Sequence, residues 1–558
     1  ALAVEAARYL LASEGSDEAV ARLLRENVVY VVPRLNPDGA EAFFAPARGD
    51  RRGNARPHDD DNDGRTDEDG PDDLNGDGVV TLMRVADPAG AYLPHPDHPR
   101  LMKRADPAAG EDGSWTLYWE GRDDDGDGFL NEDGPGGVDL DRNFQHAYPY
   151  WEADAGPHMV SEPETRALMD FVIGHRNVAA ILTFGRTDNL VTPPDARGAL
   201  AAARTLELPA FADASLADVH DVGVFRTGGG GGFGFGGFGF GGGGQPRLRG
   251  AQPGRDNDPD AGRRPATTVH RADVDYFATV SRAYREITGI ETAGVHRAPA
   301  GAFFEYGYFQ YGVPSFSTPG WGMPEAPAAE ARNEGADAAP GERDPAGAGA
   351  RAAGSGAATD ARAGGRPVRG GAPQGDAPLD ARLLAGLEAA GVDAFVEWAP
   401  FQHPTLGEVE IGGFRPHVTT NPPAEQIAAL GEAHGRFVAR LGGMLPRLRI
   451  VETAVTAHGG GVYTVEATVE NSGYFPSALQ HGVVARAVDP VLVQIQVDPA
   501  AIVTGDDKSH TIARLEGSGT RETVSWVIRG SAGDRVEIRL RAQKGGSDTA
   551  TVTLGGGR

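Results

Sequence analysis

Two short runs of contiguous apolar residues each follow a segment of helical period, and that alternation narrows the folds open to this chain. Apolar residues recur at helical spacing from about Ala3 to Leu24. Ser16-Asp17-Glu18 restarts the pattern after Gly15, since Ser caps a helix start and early acids suit the dipole. Val28 to Val32 is rich in β-branched residues and reads as a buried strand. The theme repeats farther on. Glu162 to His175 reads as a helix capped by Ser161, with Glu164 completing a capping box, and Ala179 to Phe184 reads as a second buried strand. Buried strands separated by helices predict an α/β domain, a mixed and largely parallel sheet flanked by helices.

The texture changes toward the C-terminus. Val409 to Gly413 reads as a short strand and Ala424 to Leu441 as a last helix. From about Leu448, short alternating strands such as Val462 to Val469, Val491 to Val497 and Val536 to Leu540 are separated by Gly, Asn and Asp. This predicts an all-β sandwich over 446–558, in which the Asn471 turn and Trp526 are structural. Two stretches of biased composition interrupt the chain. Residues 228–244 are almost pure Gly with Phe233, Phe235, Phe238 and Phe240, and 323–378 is rich in Ala, Gly, Pro and charge. The first predicts a loop and the second a disordered insert, because neither has enough apolar surface to offset ordering entropy.

The 558 residues carry a net charge of -27 and no Cys. The acidity argues against nucleic acid as a partner, and the missing thiols exclude disulfides and thiolate metal sites. No apolar run approaches the roughly 18 residues that a membrane span needs. Much of the negative charge is concentrated in a 59–134 insert, where Asp-x-[Asp/Asn]-x-Asp-Gly occurs three times: Asp59, Asp61, Asp63; Asp73, Asn75, Asp77; and Asp123, Asp125, Asp127. Oxygen ligands at alternate positions, followed by a turn Gly, suit a hard cation and predict Ca²⁺ binding. The twelfth positions hold Gly70, Arg84 and Gly134, so these are not EF-hands. Ca²⁺ dependence and an appended sandwich together predict a secreted or periplasmic protein.

Three landmarks follow one another in order. Asn36-Pro37-Asp38-Gly39 follows the first strand, Gly137-Val138-Asp139-Leu140-Asp141-Arg142-Asn143-Phe144 follows the acidic insert, and Ser161-Glu162-Pro163-Glu164-Thr165 opens a helix. Together they resemble the carboxypeptidase A-like zinc metallocarboxypeptidases, over roughly residues 1–445. The resemblance implies a Zn²⁺ with three protein ligands and an open position for water, a carboxylate base, and an Arg gripping the substrate C-terminus. It places a His-x-x-Glu ligand pair upstream of Ala1, and the third zinc ligand at Gly185 in Thr183-Phe184-Gly185-Arg186. It places the catalytic Glu at Pro319, after Gly312-Val313-Pro314-Ser315-Phe316-Ser317-Thr318, and the family's mobile Tyr near His296 and Arg297.

The same resemblance assigns substrate binding to Arg142, with Asp141 where the family has Asn, and a second Arg to Arg84 or Arg122. Replacement candidates are Asp188 for metal, Glu410 for the base, and His403 within a relocated site. A Gly and a Pro at the two chemical positions predict a peptidase by ancestry that is inactive or impaired. The alternatives are a non-catalytic, Ca²⁺-stabilised module that binds peptide or protein C-termini, and a different amide hydrolase on the same scaffold.

Overall fold

The computed structural model describes residues 1–59, 64–124, 126, 128, 130–131, 136–198, 266–323, 377–504 and 508–555. The Gly/Phe stretch, nearly all of 323–378, and Asp61, Asp63, Asp125 and Asp127 lie outside the described residues.

Helix α1 (Leu2–Ser13) turns Leu2, Ala6 and Leu10 inward, four residues apart. Helix α2 (Glu18–Glu26) is capped by Asp17, whose carboxylate accepts the amides of Ala19 and Val20. Ser16 is one residue too early to cap and instead donates to the Ser13 carbonyl. Short helix α3 (Pro37–Ala42) starts at Asn36, whose side chain accepts the Gly39 amide at 2.9 Å.

The acidic insert builds strands β1 (Leu82–Ala86), β2 (Tyr92–Pro94), β3 (Met102–Arg104) and β4 (Trp115–Trp119). Helix α4 (Pro163–Gly174) and strand β5 (Ile181–Phe184) follow. Then come α5 (Val274–Thr288), α6 (Phe303–Phe309), β6 (Ser315–Thr318), α7 (Ala377–Ala389), β7 (Phe395–His403), β8 (Gly407–Phe414) and α8 (Ile427–Met444). The N-cap of α4 is Glu162 without a side-chain cap, so the expected capping box is absent. Glu162 is buried and tied to Asn54 and Arg56, and the Ser161 hydroxyl donates to it instead of capping the helix.

Helices and sheets mix as expected, but a largely parallel sheet is not seen among the described residues. A six-stranded sheet in the order β3-β2-β4-β1-β8-β7 is antiparallel throughout, because local hairpins of the insert pair with the β7–β8 hairpin. Among named strands, parallel pairing is confined to β5 and β6. Val28 to Val32 is a second correction. The segment is extended, but it is not a strand, and Val28 is 68% exposed. Among the described residues, 28–35 make no backbone hydrogen bond. An extended segment becomes a strand only with a neighbour, and this one borders an open trough of about 2630 Å³. Across the trough stand α4, β5 and α8. The amides of Ile181 and Gly185 donate toward β6, so Leu182 and Phe184 turn their backbone groups to β5's unpaired edge.

Helix α8 packs closely on α1 and α2 through glycines. A Cβ at Gly431 would lie 2.1 Å from Glu5 Cβ, and one at Gly442 would lie 2.2 Å from Leu23 Cδ1. Leu448 to Thr553 forms the expected sandwich, two four-stranded antiparallel sheets around Val465, Val469, Ile495, Trp526, Ile538 and Leu540. Asn471 is buried and bonds the Phe475 carbonyl, as its turn role requires. The sandwich is fastened to the rest by polar contacts. Lys544 donates to the carbonyls of Arg176 and Val178, and buried Asp273 accepts the amides of Gln480 and His481 and the Tyr308 hydroxyl. No helix among the described residues is long and apolar enough to cross a membrane.

Candidate functional site

The β5–β6 register carries the site. Phe184 stands opposite Thr318, and the Gly185 amide donates to the Thr318 carbonyl at 3.1 Å. Gly185 and Pro319, the two positions the resemblance makes chemical, are thus brought together at the ends of adjacent strands. Neither offers a donor atom to a metal or a carboxylate to a water. The position is not crowded: a Cβ on Gly185 would meet nothing nearer than Asp141 Oδ2 at 3.7 Å. Among the described residues, no three His, Asp or Glu side chains cluster closely enough to hold a metal ion. The residues present here do not fit a zinc ion.

Asp141 and Arg142 belong to a short helical turn, Leu140–Arg142, in which the Asp139 side chain accepts the Asp141 amide and the Asp139 carbonyl accepts the Arg142 amide. Asp141 Oδ1 accepts the Phe303 amide at 3.0 Å, and its Oδ2 lies 3.3 Å from Arg297 Nη2. Burial pushes the Asp141 pKa up to about 6, against the opposing pull of Arg297. The extra charge introduced by Asp in place of Asn is therefore partly neutralised by Arg297, which also lies 3.7 Å from Asp139. Arg142 is engaged as well. Glu152 bonds its Nη2, and Asp154 lies 3.1 Å from its Nε.

Arg142 lines a small polar cavity of about 290 Å³ with Arg52, Gly53, Gly137, Asp139, Asp154, Arg186 and Arg297. Arg52 is paired with Asp50 at 2.6 Å. Arg186 differs from the other three. Its guanidinium makes no ion pair among the described residues, whereas its Nε is buried without a hydrogen-bond partner just as those of Arg142 and Arg297 are. Burial lowers its pKa first, and Arg52 lowers it further. Arg52, Asp139 and Arg186 also line the trough, so cavity and trough adjoin.

The other sequence candidates stand elsewhere. Arg84 and Glu410 pair with each other at 2.6 Å across β1 and β8, with Arg84 stacked between Trp115 and Trp398. Arg84 is therefore not a second substrate Arg at this cavity, and Glu410 is not a base beside Pro319. Arg122 sits in the insert, 3.7 Å from Asp72. Asp188 accepts the amides of Leu190, Val191 and Thr192 and so closes a turn rather than reaching for metal. His403 is buried, contacts the Gly121 carbonyl at 2.9 Å, and organises the turn at Thr405 and Leu406. Arg52, Arg186 and Arg297 were not singled out for this role by sequence. Their signal was proximity: Arg186 is the neighbour of Gly185, and Arg52 follows the Asn-Pro-Asp-Gly turn.

The described residues of the acidic repeats share a hydrogen-bond pattern. Asp73 accepts the amides of Gly76 and Gly78, and Asp123 accepts those of Gly126 and Gly128. Asp59 accepts the Gly64 amide. Asn75 and Asp77 cap the amides of Asp77 and Val79. Buried Glu120 gathers the amides of Leu74, Asn75 and Thr81 beneath the second loop.

Comparison with known proteins adds the following. Residues 1–211 match the zinc carboxypeptidase family model, and residues 447–553 match a domain of unknown function (DUF8731). No curated protein matches the chain. Solved structures match over about one fifth of it. One is the archaellum periplasmic stator protein FlaG from Sulfolobus acidocaldarius, at 12% identity, covering 19% of this chain and 100% of that one, TM-score 0.13. Another is the β-glucosidase DesR from Streptomyces venezuelae, solved with D-glucose, at 14% identity, covering 20% of this chain and 15% of that one, TM-score 0.12.

Proposed function

We propose that this metallocarboxypeptidase-like chain holds the C-terminal carboxylate of a peptide or protein without hydrolysing the adjoining bond. One observation carries the reading. Gly185 and Pro319 meet where β5 and β6 end, and the cavity beside them is lined by four arginines. Hydrolysis needs a polarising centre and a base, and general-base assistance alone is worth about 100-fold or more. A carboxylate grip needs only guanidinium groups, whose planar fork matches the two oxygens. Asp139 and Asp154 in the same wall limit the surplus positive charge, which suits a single carboxylate better than a polyanion.

We divide the chain into a carboxypeptidase-like unit, 1–445, and a sandwich, 446–558. The matches over 1–211 and 447–553 support this division. In this reading the acidic insert takes Ca²⁺, supported by the shared folding of the Asp73 and Asp123 loops. A Ca²⁺-stiffened insert suits calcium-rich surroundings outside the cell.

The test uses the full chain with added Zn²⁺ and N-acetyl-Ala-Ala-Phe as free acid or C-terminal amide. Mass spectrometry follows release of Phe, and calorimetry follows binding. The expected result is binding of the acid, no binding of the amide, and no release. Release of Phe with stoichiometric zinc uptake would overturn the reading.

A further inference from the structure

We infer that the anion is seated by Arg186, supported by Arg52, and not by Arg142, the arginine that the family resemblance nominates. The inference rests on the carboxylate-binding reading and changes which residues perform it.

The four guanidinium groups around the cavity differ in what already holds them. Arg142 already faces two carboxylates, Glu152 and Asp154. An incoming anion there must displace one of them and meets a locally negative surround. Arg297 is already engaged at both terminal nitrogens. It donates to the carbonyls of Ala298 and Asp141, both at 2.7 Å, and sits beside Asp139 and Asp141. Arg52 is held at 2.6 Å by Asp50.

Arg186 alone has no carboxylate or carbonyl at its guanidinium among the described residues, although its Nε is shut off from solvent. Its nearest charged neighbours include two like charges, Arg52 and Arg297, alongside Asp139 and Asp50. An Arg keeps its proton in proteins, so it cannot escape the cost of burial by neutralising. A half-buried guanidinium with no bonded counter-charge is costly to leave so, and an external oxyanion is the counter-charge this cavity can admit.

The setting fits such a ligand in size and access. The cavity holds about 290 Å³, ample for a carboxylate or phosphate group. Gly53 and Gly137 form part of the wall and bring no side chain to it. Because Arg52 and Arg186 also line the trough, an extended segment lying in the trough would present its terminal carboxylate to Arg186. Arg186 is also the neighbour of Gly185, so a fixed cation stands next to the position from which the resemblance would have a zinc ligand project.

The test is isothermal titration calorimetry of the full chain, Arg186→Gln and Arg142→Gln. The probes are N-acetyl-Ala-Ala-Phe as acid and amide, and inorganic phosphate. Both anions should bind the unmodified chain. Arg186→Gln should weaken both by about tenfold or more, the value of a lost charge-assisted bond. Arg142→Gln should change affinity by less than about threefold. Phosphate should raise the melting temperature of the unmodified chain but not of Arg186→Gln, since a ligand stabilises only the form that binds it. Without anion, Arg186→Gln should melt no lower than the parent, because it removes a half-buried charge that no carboxylate bonds.

Loss of binding in Arg142→Gln but not in Arg186→Gln would overturn the inference while leaving the carboxylate reading intact. Phosphate binding that depends on Arg186, with no discrimination between peptide acid and amide, would keep the seat and reject the peptide C-terminus. Failure of both anions to bind the unmodified chain would overturn the seat itself.

Discussion

Replacing Glu305 with Gln should change stability by an amount that depends on pH, and the structure sets both sign and size. Glu305 lies on α6 with its side chain only 19% exposed. Burial raises its pKa from 4.5 to about 8. His146 is 3.3 Å away and is pushed down to about 4, again chiefly by burial. The short distance alone would suggest an ion pair, whereas both shifts favour neutral partners. We take them as neutral near pH 7, because His146 Nε2 is already directed at the Ala266 carbonyl, 2.9 Å away.

The folded chain then keeps a proton that the unfolded chain releases between pH 4.5 and about 8. Stability from this group is fully present below the lower value and is lost as pH rises through the upper one. At ~1.4 kcal/mol per unit, the penalty reaches about 3 kcal/mol near pH 7. Gln cannot ionise. Glu305→Gln should match the parent near pH 4.5 and exceed it by about 3 kcal/mol at neutrality. Urea unfolding followed by hydrogen exchange of residues 303–309 reads the difference. A gap that does not grow with pH would refute the argument and mean that Glu305 is ionised against a protonated His146.

Gly185→Ala and Gly53→Ala should diverge in scanning fluorimetry. The first has open space and should alter stability by less than about 1 kcal/mol. The second puts a Cβ 2.6 Å from the Gly137 carbonyl carbon, a backbone atom, and should cost roughly 2 kcal/mol or more. Asp273→Asn should destabilise by about 2–4 kcal/mol, because its two oxygens serve three donors and an amide nitrogen would face one of them; chemical denaturation checks this. Millimolar Ca²⁺ should slow hydrogen exchange over residues 73–78 in the parent and not in Asp73→Ala. Equal exchange with and without Ca²⁺ would remove the cation from the account of the insert.

The sequence was most legible where periodicity and burial agree. The sandwich strands alternate inward and outward, and β10 (Val462–Asn471) buries every second residue as its pattern predicts. That Gly185 and Pro319 come together at the ends of β5 and β6 was not predicted from composition or periodicity; sequence marked the two positions only through the family resemblance. Val28 to Val32 misled because composition reports a preference for extension, while a strand also requires a neighbouring backbone. The antiparallel sheet was hidden for another reason. Its strands β1 to β4 lie in an acidic insert whose Asp and Gly content masks short pairing segments such as Trp115–Trp119. The free guanidinium of Arg186 could not be read from sequence at all, because whether an arginine is paired depends on contacts such as Arg52 with Asp50 and Arg142 with Glu152.

The parallel pair β5–β6 has a consequence for how the chain assembles. Ile181 pairs with Ser315, and only four residue pairs reward closure of the long connection between them. Each hairpin of the sandwich, by contrast, closes over a few residues, as between β15 (Arg535–Ala542) and β16 (Gly546–Thr553). Loop-closure entropy is spent before non-local contacts return anything, so local pairings form early and this one forms late. The anion seat, which hangs from the end of β5, therefore comes into being only after the rest of the scaffold is in place. During refolding, the hairpin of Arg535–Ala542 with Gly546–Thr553 should gain exchange protection before Ile181–Phe184, and anion binding should appear last.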